Sequence, residues 1–253
     1  MPVFINVPYR MVEANLKRII EFRTGVEIYA NNDVIDDLDM NHVNKISKRL
    51  QDNNIACTVH APYMDLSPAG FDKTIKSISM DKIKKSVEMA NILRAKQIVC
   101  HPGYDKWRFD HNEQLWLDSS IDTWSEILKE AGDSLAVALE NIFEETPSTF
   151  ISLFEYFKNK NLYFCFDSGH FNLFSVISLR DWLVPLQEFI IEMHLHDNHG
   201  KRDEHLPIGR GTFPFRELKA FLEQAKRDII FTAEINNEAY VTESIKNAKE
   251  FLS

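Results

Sequence analysis

The sequence has no apolar run approaching the roughly 18 residues of a membrane span, and its first residues, MPVFINVPYR, lack a signal-peptide pattern. Both absences point to a cytoplasmic protein with no membrane partner. Cysteine is scarce: Cys57, Cys100 and Cys165 are an odd count with no Cys-x-x-Cys spacing, which argues against a disulfide framework or a dithiol redox motif. Each lies inside an apolar run and is expected as a buried, reduced thiol. Positive charge is not in excess either. A formal net charge of −9 gives no support for a general nucleic-acid surface. No linker, low-complexity tract or strong repeat breaks the chain, so residues 1–253 read as a single domain, near the ~250 residues of one closed α/β barrel.

Eight short apolar runs are present. VFINVP (3–8) and VEIYA (26–30) come first, followed by IACTVH ending at His60, QIVCH ending at His101 and LAVALE ending at Glu140. The last three are LYFCFD ending at Asp167, IIEMH ending at His194 and DIIFTAE ending at Glu234. Runs of this length and β-branched content suit buried parallel strands. Between them lie stretches of helical period: Met11–Phe22, His42–Asp52, Ile75–Leu93, Gln114–Ala131, Thr149–Lys158, Phe215–Gln224 and Thr242–Leu252. Strands alternating with helices predict a parallel sheet with right-handed crossovers. Eight units in this length favour a (β/α)8 barrel over a doubly wound open sheet.

The last six runs all close on His, Asp or Glu, at successive spacings of 41, 39, 27, 27 and 40 residues. Each interval accommodates a loop, a helix and the next strand. In a closed barrel the C-terminal strand ends share one mouth, so six dispersed residues are expected to converge there on a metal site. A carboxylate ending an apolar strand, as at Glu140, Asp167 and Glu234, is unfavourable to bury without a cation or other partner. FDSGHF adds His170, three residues after Asp167. MHLHDNHGKRDEH adds His194, His196, Asp197, His199, Asp203 and His205. Asp203 and His205 form an Asp-x-His pair that can return from the loop as ligands. His196, Asp197 and His199 read as supporting or surface groups, with Asp197 a candidate partner for the outer nitrogen of a ligating imidazole. Mixed imidazole and carboxylate donors suit Zn²⁺, Mn²⁺ or Co²⁺, with Mg²⁺ also open.

At these residues the chain resembles the xylose isomerase-like TIM-barrel superfamily, which groups sugar isomerases and epimerases with endonuclease IV. The resemblance runs from VEIYA through TVHAPYMDLSP, IVCHPG, ALEN, FDSGH, MHLHDN and DEHLPIGRG to TAEIN. Similarity to the epimerases implies one metal at Glu140, Asp167, His194 and Glu234, with the two glutamates moving protons at adjacent substrate carbons. Similarity to endonuclease IV implies a trinuclear zinc set at His60, His101, Glu140, Asp167, His170, His194, Asp203, His205 and Glu234. The expected cofactor is therefore one to three divalent ions.

The leading expectation is a metal-dependent sugar or sugar-phosphate isomerase or epimerase. Glu140 and Glu234 would be its acid–base pair, and His170 and His196 would orient hydroxyls. Tyr63, Trp107, Phe109 and Phe171 are candidates for the mouth wall, and Lys201, Arg202 or Arg210 for a phosphate. The alternative is a multinuclear zinc hydrolase, and a non-enzymatic metal- or sugar-binding barrel ranks last. Two departures bear on the choice. Arg210 stands in GRG where the family often has an acidic residue. NNDVIDDLD after VEIYA is acidic where the endonucleases carry a basic, aromatic DNA-gripping loop. A nucleic-acid partner therefore ranks behind a small carbohydrate, and monomer and homodimer are equally compatible with the helix faces.

Overall fold

The computed structural model describes residues 3–158, 160–224 and 228–253. Eight strands, β1 (Val3–Pro8), β2 (Gly25–Tyr29), β3 (Cys57–His60), β4 (Gln97–Cys100), β5 (Ala136–Glu140), β6 (Leu162–Asp167), β7 (Ile190–Leu195) and β8 (Ile230–Ala233), pair in sequence order. All pairs are parallel, and β8 returns to β1 through Val3↔Phe231 and Ile5↔Ala233, closing the barrel. Closure decides against the open sheet.

The helices are α1 (Val12–Phe22), α2 (Asn32–Asp36), α3 (Met40–Asp52), α4 (Lys73–Leu93), α5 (Glu113–Ala131), α6 (Ser148–Tyr156), α7 (Ser168–Phe174), α8 (Leu179–Leu183), α9 (Phe215–Leu222) and α10 (Val241–Phe251). The seven periodic stretches correspond to α1, α3, α4, α5, α6, α9 and α10. The short α2, α7 and α8 have no counterpart among them, because five to seven residues give too few turns for a period to show. Local chemistry sets the starts: Asp72 accepts from the N–H groups of Thr74 and Ile75 ahead of α4, and Asn112 from that of Leu115 ahead of α5. Among the described residues no helix is long and apolar enough to cross a membrane.

Two cores result from strand alternation. Outward-facing side chains pack under the helices with Trp116, Trp124 and Trp182, all fully buried. Inward-facing positions alternate down each strand from its rim residue. Beneath His101, Glu140 and Asp167 stand the small Val99, Ala138 and Cys165, which form their own cluster. Beneath Tyr29, His60, His194 and Glu234 stand polar groups, Glu27, Thr58, Glu192 and Thr232, all fully buried. The three cysteines are free and buried, as expected.

Candidate metal centre

The barrel mouth gathers the strand-end residues into overlapping groups. Donor atoms of Glu140, Asp167, His194 and Glu234 all lie within 4.8 Å of one another, as do those of His60, His101 and Glu140, and those of His196, His205 and Glu234. Glu140 and Glu234 each belong to more than one group.

Glu140 is the hub. Nε2 of His60 and of His101 approach its Oε2 at 3.0 and 3.2 Å. Nδ1 of His194 lies 3.5 Å from the same oxygen, and Nδ1 of His170 lies 3.1 Å from Oε1. Backbone carbonyls orient two of these rings: His60 Nδ1 donates to Ala61 O and His170 Nδ1 to Asn141 O, both at 2.9 Å. The second ring nitrogen of each is thereby aimed into the cleft. Asp167 works twice, because its carboxylate faces the cleft while Oδ1 accepts the His170 N–H at 2.6 Å, capping α7.

The β7–α9 loop supplies the far wall. Asp203 Oδ2 lies 3.6 Å from His170 Nε2 and 3.4 Å from His205 Nδ1. His205 has φ 49°, a left-handed backbone uncommon outside glycine, and its ring stacks on His196 at 4.2 Å and 3°. His196 Nε2 donates to Asp167 Oδ2 at 2.9 Å. A Cβ on Gly169 would sit 2.0 Å from the His196 ring, so the Gly of FDSGHF is what lets this ring lie down.

Whether cations fit here can be judged from the polar atoms left over. Glu140 Oε1, His194 Nδ1, His196 Nδ1, His205 Nδ1 and Glu234 Oε2 are buried without a hydrogen bond. Orphaned buried polar atoms are uncommon in folded proteins, and five in one cleft suit divalent ions with nitrogen and oxygen ligands. Protonation follows the same crowding. Burial pulls His60 down, but the Glu140 hydrogen bond and charge prevail and push it up to about 9. For His205 burial is likewise outweighed, chiefly by Glu234, again to about 9. Burial favours neutral Glu140 and Glu234, yet the surrounding imidazoles hold both well below the usual carboxylate range.

Residues 23–252 match the family model described as xylose isomerase-like TIM barrel. The chain belongs to that family. An uncharacterized protein of Methanocaldococcus jannaschii is 31% identical over 208 residues, covering 78% of this chain and 70% of the relative. A probable endonuclease 4 of Staphylococcus carnosus is 26% identical over 215 residues, covering 77% and 70%. Among solved structures, a D-tagatose 3-epimerase-like protein superposes with TM-score 0.85 at 26% identity, covering 100% of this chain and 97% of the other. A Thermus thermophilus protein soaked with zinc chloride superposes with TM-score 0.80 at 22% identity, over 99% of each.

Within this xylose isomerase-like barrel, several sequence expectations meet a different placement. Among the described residues Asp197 partners no imidazole. Its carboxylate accepts the backbone N–H groups of Gly209, Gly211 and Phe213 and so folds the loop that carries Asp203 and His205. The carboxylate behind a rim imidazole is Glu27, 3.2 Å from His194 Nε2. Arg210 forms a bidentate pair with Glu243 of α10 at 2.7 and 2.6 Å, which occupies its guanidinium. Arg202 pairs with Glu204, which also bonds the exposed His199. Trp107 is 73% exposed, packed edge-on to His111, while Phe109 and Phe171 are buried in aromatic packing. Tyr63 does reach the rim, stacked on His101 at 4.3 Å. Burial first, then the charges of nearby groups, push its phenol up to about 12, so it remains a donor. His196 lies inside the cluster itself. Sequence reasoning misses Glu27 and Glu192 because they interrupt apolar runs without ending them. Their signal is period-2 spacing, two residues before Tyr29 and His194.

Proposed function

We propose that this protein is a multinuclear metal-dependent hydrolase acting on a small phosphate ester. The observation that carries the reading is the ring of four imidazoles, His60, His101, His170 and His194, around the two oxygens of Glu140. A glutamate that shuttles protons needs an oxygen open to substrate. A fully buried carboxylate common to two donor groups is better suited to being shared by neighbouring cations. Divalent ions held there would supply Lewis acidity for a substrate oxygen and for water, an arrangement well matched to in-line displacement at phosphorus.

The chain's own residues account for the rest. Glu234, 16% exposed at its side chain, is the more open glutamate and the natural acceptor of the proton released by water. Tyr63 donates a hydrogen bond to a substrate oxygen from the rim. The exposed Asp33, Asp36, Asp37 and Asp39 in the segment after β2, with the net charge of −9, disfavour a duplex backbone and favour a small ester. The likeness to a probable endonuclease 4 agrees with phosphoester chemistry.

The sugar isomerase or epimerase reading stands second. It is favoured by the compact group of Glu140, Asp167, His194 and Glu234 and by the likeness to an epimerase-like structure. In that reading the two glutamates exchange a proton at neighbouring carbons through an enediolate. One preparation loaded with zinc or manganese separates the two. The expected result is hydrolysis of p-nitrophenyl phosphate or its bis ester, abolished by His101→Ala. Absence of hydrolysis, with solvent deuterium entering a ketose and surviving His101→Ala, would overturn the hydrolase reading in favour of the isomerase.

A further inference from the structure

The rim imidazoles are steered by two kinds of partner. His60 and His170 each give one nitrogen to a neutral backbone carbonyl. His194 instead directs Nε2 down the barrel to Glu27 Oε2 at 3.2 Å. Glu27 is fully buried, and its other oxygen has no hydrogen bond. Among the described residues no lysine or arginine pairs with it. The neighbouring Glu192 offers no cation, since it is a second carboxyl group, already engaged by Gln97 and Thr232 at 2.6 Å each. A buried carboxyl group with one oxygen on an imidazole and the other unpaired is a poor framework element and suits a role in orienting that ring.

The other side of the same ring faces the cleft. His194 Nδ1, itself unpartnered, faces Glu140 Oε2 at 3.5 Å and both Asp167 Oδ2 and Glu234 Oε2 at 3.8 Å. One flat ring thus has a carboxyl group below it and a cleft lined with carboxyl groups above it. Strand alternation makes the arrangement rigid. His194 projects inward from β7 and Glu27 from β2, and both backbones are held in the closed ladder.

We infer that Glu27 is a positioning residue for the metal centre. By accepting the Nε2 proton of His194 it selects the tautomer whose Nδ1 lone pair faces the cleft, and its charge makes that nitrogen a stronger donor. The inference rests on the metal-centre reading above and extends it to a residue that touches no substrate.

The probe is Zn²⁺ alone, titrated against a competing chelator with the wild-type protein and with Glu27→Gln. Glutamine keeps the shape and removes the charge, and its amide can donate to Nε2 and so favour the opposite tautomer. The expected result is zinc binding weakened by about ten- to a hundredfold, the range for outer partners of ligating histidines. The melting temperature of the metal-free variant should stay unchanged or rise, because a buried charge has gone. In the zinc-loaded wild type the His194 Nε2–H proton should appear downfield and slow to exchange, and it should move upfield in the variant. Zinc affinity within twofold of wild type would overturn the inference. So would a metal-free melting temperature that falls in step with affinity, since that marks a strut. Failure of the wild type to bind zinc would instead sink the metal-centre reading itself.

Discussion

Glu140 and Glu192 are the same residue type on neighbouring parts of one barrel, both inward-facing and both buried, yet their surroundings are opposite. Glu192 lies one layer below the rim and takes hydrogen bonds from the neutral donors Gln97 and Thr232. Burial, then the charge of Glu27, push it up to about 8, so it sits as a largely protonated acid. Glu140, at the rim, meets imidazoles on every side and is held well below the usual range despite its burial. Glu192 has both oxygens satisfied by scaffold groups. The upper layer leaves polar atoms without partners and surrounds them with ligand types. Environment, not residue identity, separates framework from site.

The contrast between the layers is most exposed at Glu140. Glu140→Gln removes the anion common to two donor groups and should weaken zinc binding by more than about a hundredfold, beyond the range seen for outer partners, as read by chelator competition. A variant that binds zinc like wild type would remove the distinction between the layers.

Next in size is a pH effect on the metal-free protein. His60 and His205, raised to about 9 from 6.5, contribute stability that is complete below about pH 6.5 and is lost as pH rises through 9. Glu192 acts in the same direction: its unfolded form ionises near 4.5 while the folded form keeps its proton to about 8. The metal-free melting temperature should therefore fall between about pH 6.5 and 9. Over the same interval zinc affinity should climb, because binding must displace those imidazole protons. Thermal melts and zinc titrations across that interval measure both slopes, and parallel slopes would contradict the assignment.

Smaller still is Glu192→Gln. It exchanges one neutral hydrogen-bonding group for another and should change stability by no more than about 1 kcal/mol, with zinc affinity preserved. Denaturant unfolding beside the chelator assay checks this. Smallest is Arg210→Ala, which removes a partly exposed pair with Glu243. A stability change under about 1 kcal/mol and unaltered turnover are expected. Loss of turnover would restore Arg210 to the substrate site.

What can be read in the sequence follows the same division. The rim residues are legible because each ends an apolar run, and the closed parallel topology turns run ends into neighbours. His170, Asp203 and His205 are legible as short local pairs attached to those ends. Glu27 and Glu192 are not, since a carboxylate inside a run looks like an interruption until strand alternation assigns its face. Loop contacts are the least legible. Asp197 and Asp203 belong to one loop, but only the folded loop shows that one binds backbone N–H groups while the other faces the cleft. Arg210, engaged by Glu243, shows the same thing: nothing local in GRG specifies which way the loop turns.

The central claim is that Glu140 joins two neighbouring cation positions at the barrel mouth. Anomalous scattering from a zinc-loaded crystal tests it most directly. The account expects at least two zinc peaks flanking Glu140, one against His60 and His101 and one against Asp167, His194 and Glu234. A single peak, or peaks that leave Glu140 untouched, would contradict it.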